Sequence, residues 1–262
     1  MKIVACIKYS LTLSELKVDP ATRELRLATT PQRVGTIDRN VLEAAVVLKP
    51  EGSTVHGLTL APAGAREAFR EAIAMGLDDL TIVDSTNWAA GGPMATAAVL
   101  AAAIQKMGDV DLVVCGEASD DGVTYQVPPR LAERLGWPLL AYARNIALAG
   151  ATLTADRDLD IGMQSVACDL PLVLTVTQET NTPRRPTLMD AVKAKKKPVV
   201  VWQPEADLGL SAEALQAAGG VTRIAQEGIV IARKEQLFQG DDMKALANQL
   251  LDALLAEHVV AE

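Results

Sequence analysis

Short runs of consecutive apolar residues alternate with longer amphipathic stretches through the first half of the chain. The apolar runs lie at residues 2–7, 55–60, 80–84 and 111–115, and the helical patterns at 38–49, 63–75, 94–107 and 129–135. Strands that are apolar on both faces belong in a parallel sheet that is covered by helices on both sides. The pattern therefore predicts an α/β fold with an open, mostly parallel sheet flanked by helices.

The second half of the chain has a different pattern. Polar and apolar residues alternate over 144–168 around Ala149-Gly150, which predicts a β-meander, and buried-type strands follow at 172–176 and 198–202. A polar excursion at 17–27 predicts a hairpin around Asp19-Pro20. Residues 242–257 carry an apolar stripe at helical spacing, so a tail helix is expected. We therefore predict an α/β domain at 1–203 and a C-terminal extension at 204–262.

Composition excludes several classes of partner. The net charge of −8 and the 3% content of aromatic residues argue against nucleic acid, which needs a basic surface or stacking side chains. No apolar stretch approaches the roughly 20 residues of a membrane helix, so no membrane insertion is expected. The cysteines at 6, 115 and 168 lie far apart without metal-ligand spacing. Cys6 and Cys115 lie in apolar runs, so we expect them to be buried thiols in a reducing compartment, and hence a cytoplasmic protein without a metal site.

The sequence offers no catalytic constellation. It contains no GxGxxG, no GxxxxGK[ST] and no GxSxG motif, and its two histidines leave little material for a triad. Asp120-Asp121 could chelate Mg²⁺, but such a pair in a loop is more often solvated. We therefore expect no catalytic residue in the chain.

The first candidate binding segment is 115–129, CGEASDDGVTYQVPP, between a predicted strand and a predicted helix. Open α/β sheets bind ligands outside the carboxyl ends of their strands, which is where this segment lies. Gly116 and Gly122 allow close approach of the backbone, and the polar side chains between them could bind ribose, phosphate or base. An ordinary surface turn would need similar residues, so this alternative stays open.

The second candidate segment is 177–197, TQETNTPRRPTLMDAVKAKKK. Two prolines bracket Arg184-Arg185 and predict an extended, stiff stretch, after which Thr187 can cap a short helix. Four lysines follow at the C-terminal end of this helix. A solvated basic helix end is one interpretation. In an acidic protein, a basic loop that displays Leu188 and Met189 also has the properties of a docking surface for an acidic partner.

These two segments, together with the N-terminal VACIK, resemble the β subunit of electron transfer flavoproteins. The most specific match is the run N-T-P-R-R-P-T-L at 181–188 followed by K-A-K-K-K at 193–197. The stretch from Leu112 to Pro138 also matches in order and spacing. The resemblance extends from residue 1 to about residue 209. It implies an adenine-nucleotide-binding fold of the flavodoxin or Rossmann kind with a protruding recognition loop at 181–197.

The resemblance also implies partners and cofactors. Members form a heterodimer with an α subunit that holds redox-active FAD, and the β subunit binds AMP or, in electron-bifurcating members, a second FAD. Electrons come from flavin dehydrogenases such as acyl-CoA dehydrogenases and pass to a quinone oxidoreductase. The tail helix is expected to contact the α subunit. This chain would then be an electron carrier subunit and not a catalyst with its own active site.

The family's functional positions carry over residue by residue. The nucleotide contacts fall on Cys6, Lys8, Ile37, Asp38, Leu60, Glu117, Ala118, Ser119, Asp120, Asp121, Gly122, Val123, Thr124, Tyr125, Gln126 and Val127. The residues for docking a dehydrogenase fall on Arg184, Leu188, Met189, Lys193 and Lys196. Leu188 stands where the family's anchor leucine enters a pocket on the partner.

The chain departs from the common family pattern at several positions. Of the element N-P-[YF]-D only Asp38 is kept, and Arg185 replaces the usual aromatic residue. Residues 118–123, ASDDGV, are more similar to the carnitine-linked, FixA-like branch. Gln126-Val127-Pro128-Pro129 lies closer to the Q-V-G-P of bifurcating members, although Pro128 replaces the glycine. Two alternatives therefore stay open: a bifurcating subunit of an NADH-oxidising system, and a stand-alone nucleotide-binding regulatory module.

Overall fold

The computed structural model describes residues 1–86, 92–218, 224–230 and 234–260. Contacts divide the chain into two units. The larger unit comprises Met1–Lys17 and Leu25–Gln226, and the smaller unit comprises Val18–Glu24 and Glu227–Glu262. The larger unit holds the sheet and every candidate site residue, and it extends past the predicted boundary at residue 203.

Within the described ranges, nine strands of the larger unit form one sheet. The described residues contain eleven strands in all, which in chain order are β1 (Lys2–Cys6), β2 (Tyr9–Leu11), β3 (Gln32–Val34), β4 (Thr54–Ala61), β5 (Asp79–Asp84), β6 (Leu112–Gly116), β7 (Leu139–Ala149), β8 (Thr152–Leu159), β9 (Gly162–Asp169), β10 (Leu172–Val176) and β11 (Val199–Trp202). The sheet order is β11-β5-β4-β1-β6-β10-β7-β8-β9, and β2 pairs separately with β3. Strands β11 through β7 are parallel, whereas β8 and β9 complete an antiparallel meander.

Helices cover both faces of the sheet. In the larger unit they are α1 (Thr36–Val47), α2 (Arg70–Ala74), α3 (Gly92–Met107), α4 (Val127–Leu135), α5 (Leu188–Ala194), α6 (Pro204–Leu208) and α7 (Ala212–Ala218), and the smaller unit contains α8 (Met243–Ala256). One apolar core joins the sheet to α1, α2 and α5, and the second core joins it to α3, α4 and α7. The central strands are buried on both faces, which explains why their sequences are apolar throughout.

The predicted fold class is confirmed: the sheet is open and mostly parallel, with helices on both faces and a meander after α4. The region predicted as one helix at 63–75 differs, because it begins as a 3₁₀ helix over Ala63–Phe69 and becomes α-helical only in α2. Nothing in the sequence analysis predicted the β2–β3 pair. Its strands have three residues each, too few for a periodicity to be recognised.

The smaller unit contains the predicted tail helix, which is α8. Asp242 caps this helix by accepting hydrogen bonds from the backbone N–H groups of Lys244 and Ala245. The structure describes every residue of α8, and none of them is buried. Leu250 and Leu251 are each 49% exposed. In the described parts of the chain, every helix is too short or too polar to cross a membrane.

Candidate functional site

A cavity of about 490 Å³ lies at the carboxyl ends of β1, β4 and β6. These strands are neighbours and run in parallel, so their ends meet at one edge of the sheet together with the first turns of α1, α3 and α4. Ligands of open α/β sheets bind at this kind of crevice. The volume is that of an ordinary small-molecule or cofactor site.

Most of the predicted nucleotide contacts line this cavity. They are Cys6, Lys8, Asp38, Leu60, Glu117, Ala118, Ser119, Asp121, Gly122, Thr124, Tyr125, Gln126 and Val127. Among the described residues, Ile37, Asp120 and Val123 were also predicted but are not part of the wall. Ile37 is buried and packs against Gly116, which is part of the wall. The packing is so close that a Cβ on Gly116 would lie 2.7 Å from Ile37 Cγ2.

Several residues of the wall were not among the nucleotide contacts predicted from the sequence. They are Ile7, Ser85, Gly92, Pro93, Thr96, Leu100, Gly116 and Pro128. Those from 85–100 follow β5 or belong to the first turns of α3. The sequence carried a signal for them, because Gly92-Pro93 after an apolar strand is typical of a helix that begins at the edge of a sheet.

Asp38 is the most perturbed carboxyl group of the cavity. It lies in the first turn of α1, is 5% exposed, and accepts a hydrogen bond from the backbone N–H of Lys8 on Oδ1 at 2.9 Å. Burial raises its pKa from 3.8 to about 7; the Lys8 N–H opposes this rise, and the charge of Asp120 adds to it. Its other oxygen, Oδ2, has no hydrogen-bond partner among the described residues. This oxygen lies against Gly35, where a Cβ would collide with it, so only glycine fits at that position.

Lys8 and Asp121 fix the polar loop that follows β6. Lys8 Nζ lies 2.5 Å from Asp121 Oδ1 and 3.2 Å from Ser119 Oγ, and the N–H of Leu11 donates to Asp121 Oδ2 at 3.2 Å. Burial alone would raise the pKa of Asp121, but the bond from Lys8 leads the contacts that hold it below 3.8. The loop is thereby tied to the chain that follows β1, the neighbouring strand.

The backbone of this loop is tightly constrained. A Cβ on Gly116 would lie 2.7 Å from Ile37 Cγ2 and 3.0 Å from the carbonyl oxygen of Ala118, so only glycine fits between β6 and α1. Val123 and Tyr125 have φ angles of 44° and 58°, a region that residues other than glycine rarely adopt. Strained backbone of this kind clusters at ligand sites.

The polar groups of the cavity suit a ligand with hydroxyl and phosphate groups. Asp38 and Glu117 can accept hydrogen bonds from hydroxyls, and burial followed by the charge of Glu179 raises the pKa of Glu117. The helix α3 begins at the cavity wall, and the first N–H groups of a helix attract anions. Pro128 and Pro129 remove two such donors from α4.

The thiols of Cys6 and Cys115 interact with each other. Cys6 lines the wall of the cavity and both residues are buried. A hydrogen bond with Cys6, followed by burial, raises the pKa of Cys115 well above 9. His56, in β4, is half-buried, and its Nδ1 lies 2.7 Å from Asp79 Oδ2.

The recognition loop displays apolar side chains on a short, capped helix. Leu188 is 87% exposed and Met189 is 64% exposed, and both belong to α5. Thr187 Oγ1 accepts the N–H of Asp190 at 3.2 Å, and Asp190 Oδ2 accepts the N–H of Thr187 at 3.0 Å, which completes a capping box. Ala194 is buried and anchors the other end of α5.

The predicted docking residues fall into two groups. Lys193 and Lys196 are exposed, as are Leu188 and Met189. Arg184 instead forms an ion pair within the chain, because its Nε and Nη2 donate to Glu43 Oε2 at 2.7 Å and Oε1 at 2.9 Å. The structure therefore gives Arg184 an anchoring contact that the sequence analysis did not foresee.

Comparison with known proteins identifies relatives over nearly the whole chain. The family described as "Electron transfer flavoprotein domain" matches residues 26–207. The chain is 31% identical to the caffeyl-CoA reductase-Etf complex subunit CarD of Acetobacterium woodii, over 99% of this chain and 100% of that protein. It is 29% identical to the electron transfer flavoprotein subunit beta of Megasphaera elsdenii, with the same coverage. It is also 33% identical to protein FixA of Azorhizobium caulinodans, over 77% of this chain and 75% of that protein.

Proposed function

The chain belongs to the electron transfer flavoprotein family, among its β subunits, and from this membership we propose that it is the β subunit of a heterodimer that carries electrons. In this proposal the chain binds an adenine nucleotide in the cavity at the ends of β1, β4 and β6. Its recognition loop docks flavin dehydrogenases, such as acyl-CoA dehydrogenases, so that their electrons reach FAD held by the α subunit. From there the electrons pass to a quinone oxidoreductase, and we expect the assembly to work in the cytoplasm.

One observation carries the proposal: a single unit of the chain combines a cavity at the ends of parallel strands with a separate, exposed apolar helix. Polar side chains of Lys8, Asp38 and Glu117 line the cavity, as a site for a ligand with hydroxyl groups would require. The helix α5 exposes Leu188 beside lysines, as a surface for an acidic partner would. A ligand site alone would not explain the second feature. The exposed stripe of α8 supports a contact with the α subunit.

The nucleotide is AMP or a second FAD, and the second choice corresponds to a different function. An electron-bifurcating subunit would hold FAD here and take part in NADH oxidation. Two observations favour this candidate: the run Gln126-Val127-Pro128-Pro129, and the similarity to a protein whose name places it in a caffeyl-CoA reductase-Etf complex. A hollow lined by Met94, Arg130 and Arg134 shares Tyr125 and Gln126 with the cavity and offers room for a longer ligand.

Extraction of the bound nucleotides from the purified heterodimer separates the two candidates. One FAD and one AMP per heterodimer would support simple electron carriage, whereas two FAD would support bifurcation. A heterodimer with a single FAD and no other nucleotide would contradict the nucleotide site in this chain.

We expect Asp121→Ala to loosen both the nucleotide and the loop after β6. The substitution leaves Lys8 Nζ and the N–H of Leu11 without their shared acceptor. Loss of such a contact costs about 1–2 kcal/mol, a range that already allows for the partial exposure of Lys8. Nucleotide retention should therefore fall roughly 5- to 20-fold. Nucleotide content and the melting temperature of the heterodimer measure the effect. Glu51→Ala, at an exposed carboxylate in the turn before β4, is the control and should change neither.

A further inference from the structure

The helix α1 lies between the nucleotide cavity and the recognition loop. It packs on the sheet against β1, β6 and β10. Two of these strands lead directly into the segments in question: β6 into the loop that lines the cavity, and β10 into the chain that becomes the recognition loop. Because both segments leave the same edge of the sheet, one helix can contact both.

Hydrogen bonds with residues at and beside the cavity fix the N-terminus of α1. The backbone N–H of Thr36 donates to Asp120 Oδ2 at 2.6 Å, so the loop after β6 supplies the cap that Gly35 lacks. Asp38 accepts the N–H of Lys8 and also lines the cavity. The first turn of α1 is thus fixed by groups that a bound nucleotide would contact or order.

Further along, α1 holds the start of the recognition loop through Asn40. This side chain is 2% exposed, and its Nδ2 donates to the carbonyl oxygen of Asn181 at 2.8 Å and of Gln178 at 3.2 Å. In return, Asn181 Nδ2 donates to the carbonyl oxygen of Asn40 at 3.0 Å. These bonds fix the backbone where the loop begins.

One turn later, Glu43 holds the loop through Arg184. Asn40 and Glu43 are three residues apart, so they share one face of the helix. Glu43 is 8% exposed and accepts three hydrogen bonds from Arg184: two from the guanidinium and one from the backbone N–H at 3.0 Å. The guanidinium bonds hold the pKa of Glu43 below its usual 4.5. The fork geometry restrains both the position and the direction of the chain that leads to Leu188.

We infer that Asn40 and Glu43 are positioning residues for the recognition loop, and that α1 couples occupancy of the cavity to the order of the docking side chains. This inference rests on the proposed function, because it assumes that the cavity binds a nucleotide and that the loop docks a partner. A bound nucleotide orders the loop after β6 that caps the first turn of α1, and the better-ordered helix then holds Asn181 and Arg184 more firmly. By linkage, nucleotide and dehydrogenase then strengthen each other's binding.

Hydrogen exchange on the heterodimer tests the coupling. The heterodimer is stripped of the nucleotide in this chain and refilled with AMP, or with FAD if AMP does not bind. We expect exchange at 182–190 to slow by about fivefold or more on refilling. In Glu43→Gln this dependence should largely disappear, and the KM for the dehydrogenase should rise about fivefold while kcat stays close to that of the wild type. Arg184→Lys keeps the charge but loses the fork, so it should act in the same direction.

Glu67→Gln is the matched control, because Glu67 forms a surface ion pair with Arg70. It should leave the exchange and the KM unchanged. Equal exchange at 182–190 with and without nucleotide would overturn the coupling, and a fall in kcat alone would overturn the positioning role. If Leu188→Ala still weakens docking in that case, the proposed function stands. Failure of both AMP and FAD to bind would contradict the proposed function and this inference together.

Discussion

Leu188→Ala should slow electron transfer from the dehydrogenase by roughly 10- to 100-fold, because burial of a leucine side chain contributes about 1.5–3 kcal/mol to an interface. Leu188 is 87% exposed in the chain, so its removal takes away no core contact. Heterodimer stability and flavin content should therefore stay nearly unchanged. Transfer rates at several dehydrogenase concentrations, melting temperature and flavin content measure the three quantities on one preparation.

Leu13→Ala provides the matched control for this experiment. Leu13 is 46% exposed and lies on a 3₁₀ helix at Leu13–Glu15, outside the recognition loop. Its loss should not change the transfer rate. An unchanged rate in Leu188→Ala, or an unfolded variant, would show that Leu188 does not enter a partner pocket.

Asp38→Asn should make the nucleotide-free heterodimer more stable at pH 8 than the wild type. Burial raises the pKa of Asp38 to about 7, so the folded protein keeps a proton that the unfolded chain has lost. The free energy of unfolding therefore falls as pH rises from about 4 to 7, and stays lower above this range. An asparagine does not titrate and still offers Oδ1 to the N–H of Lys8. The gain should be of the order of a few kcal/mol at pH 8 and close to zero near pH 4.

The measurement is the difference in melting temperature between variant and wild type across this pH range. Glu51→Gln, at an exposed carboxylate, should follow the wild type throughout. Parallel curves for Asp38→Asn and the wild type would mean that Asp38 ionises in the folded protein as freely as in the unfolded chain.

The sequence predicted the sheet because its central strands are buried on both faces. A strand such as β10, buried at every position, leaves an uninterrupted apolar run that has no other simple interpretation. The meander was equally visible from its alternation around Gly150. Elements with few residues left no such pattern, which is why the β2–β3 pair was missed and the 3₁₀ helix at Ala63–Phe69 was taken for an α-helix.

The candidate site was predictable where it lies on one continuous segment. The loop after β6 could be read from its glycines and polar residues, but the contribution of Thr96 depends on how α3 approaches the same strand ends. Contacts between side chains far apart in the sequence could not be predicted for the same reason, because they depend on how the elements pack. Glu43 and Arg184 are 141 residues apart, and an arginine between two prolines gives no sign that it binds a buried carboxylate. The unsatisfied oxygen of Asp38 likewise follows from packing and not from local pattern.

Co-expression with the electron transfer flavoprotein α subunit, followed by native mass spectrometry, tests the central claim most directly. We predict a 1:1 complex of this chain with the α subunit that carries one FAD and, in addition, one adenine nucleotide, either AMP or a second FAD. A stable homodimer of this chain that ignores the α subunit would contradict the claim and support a stand-alone nucleotide-binding regulatory module.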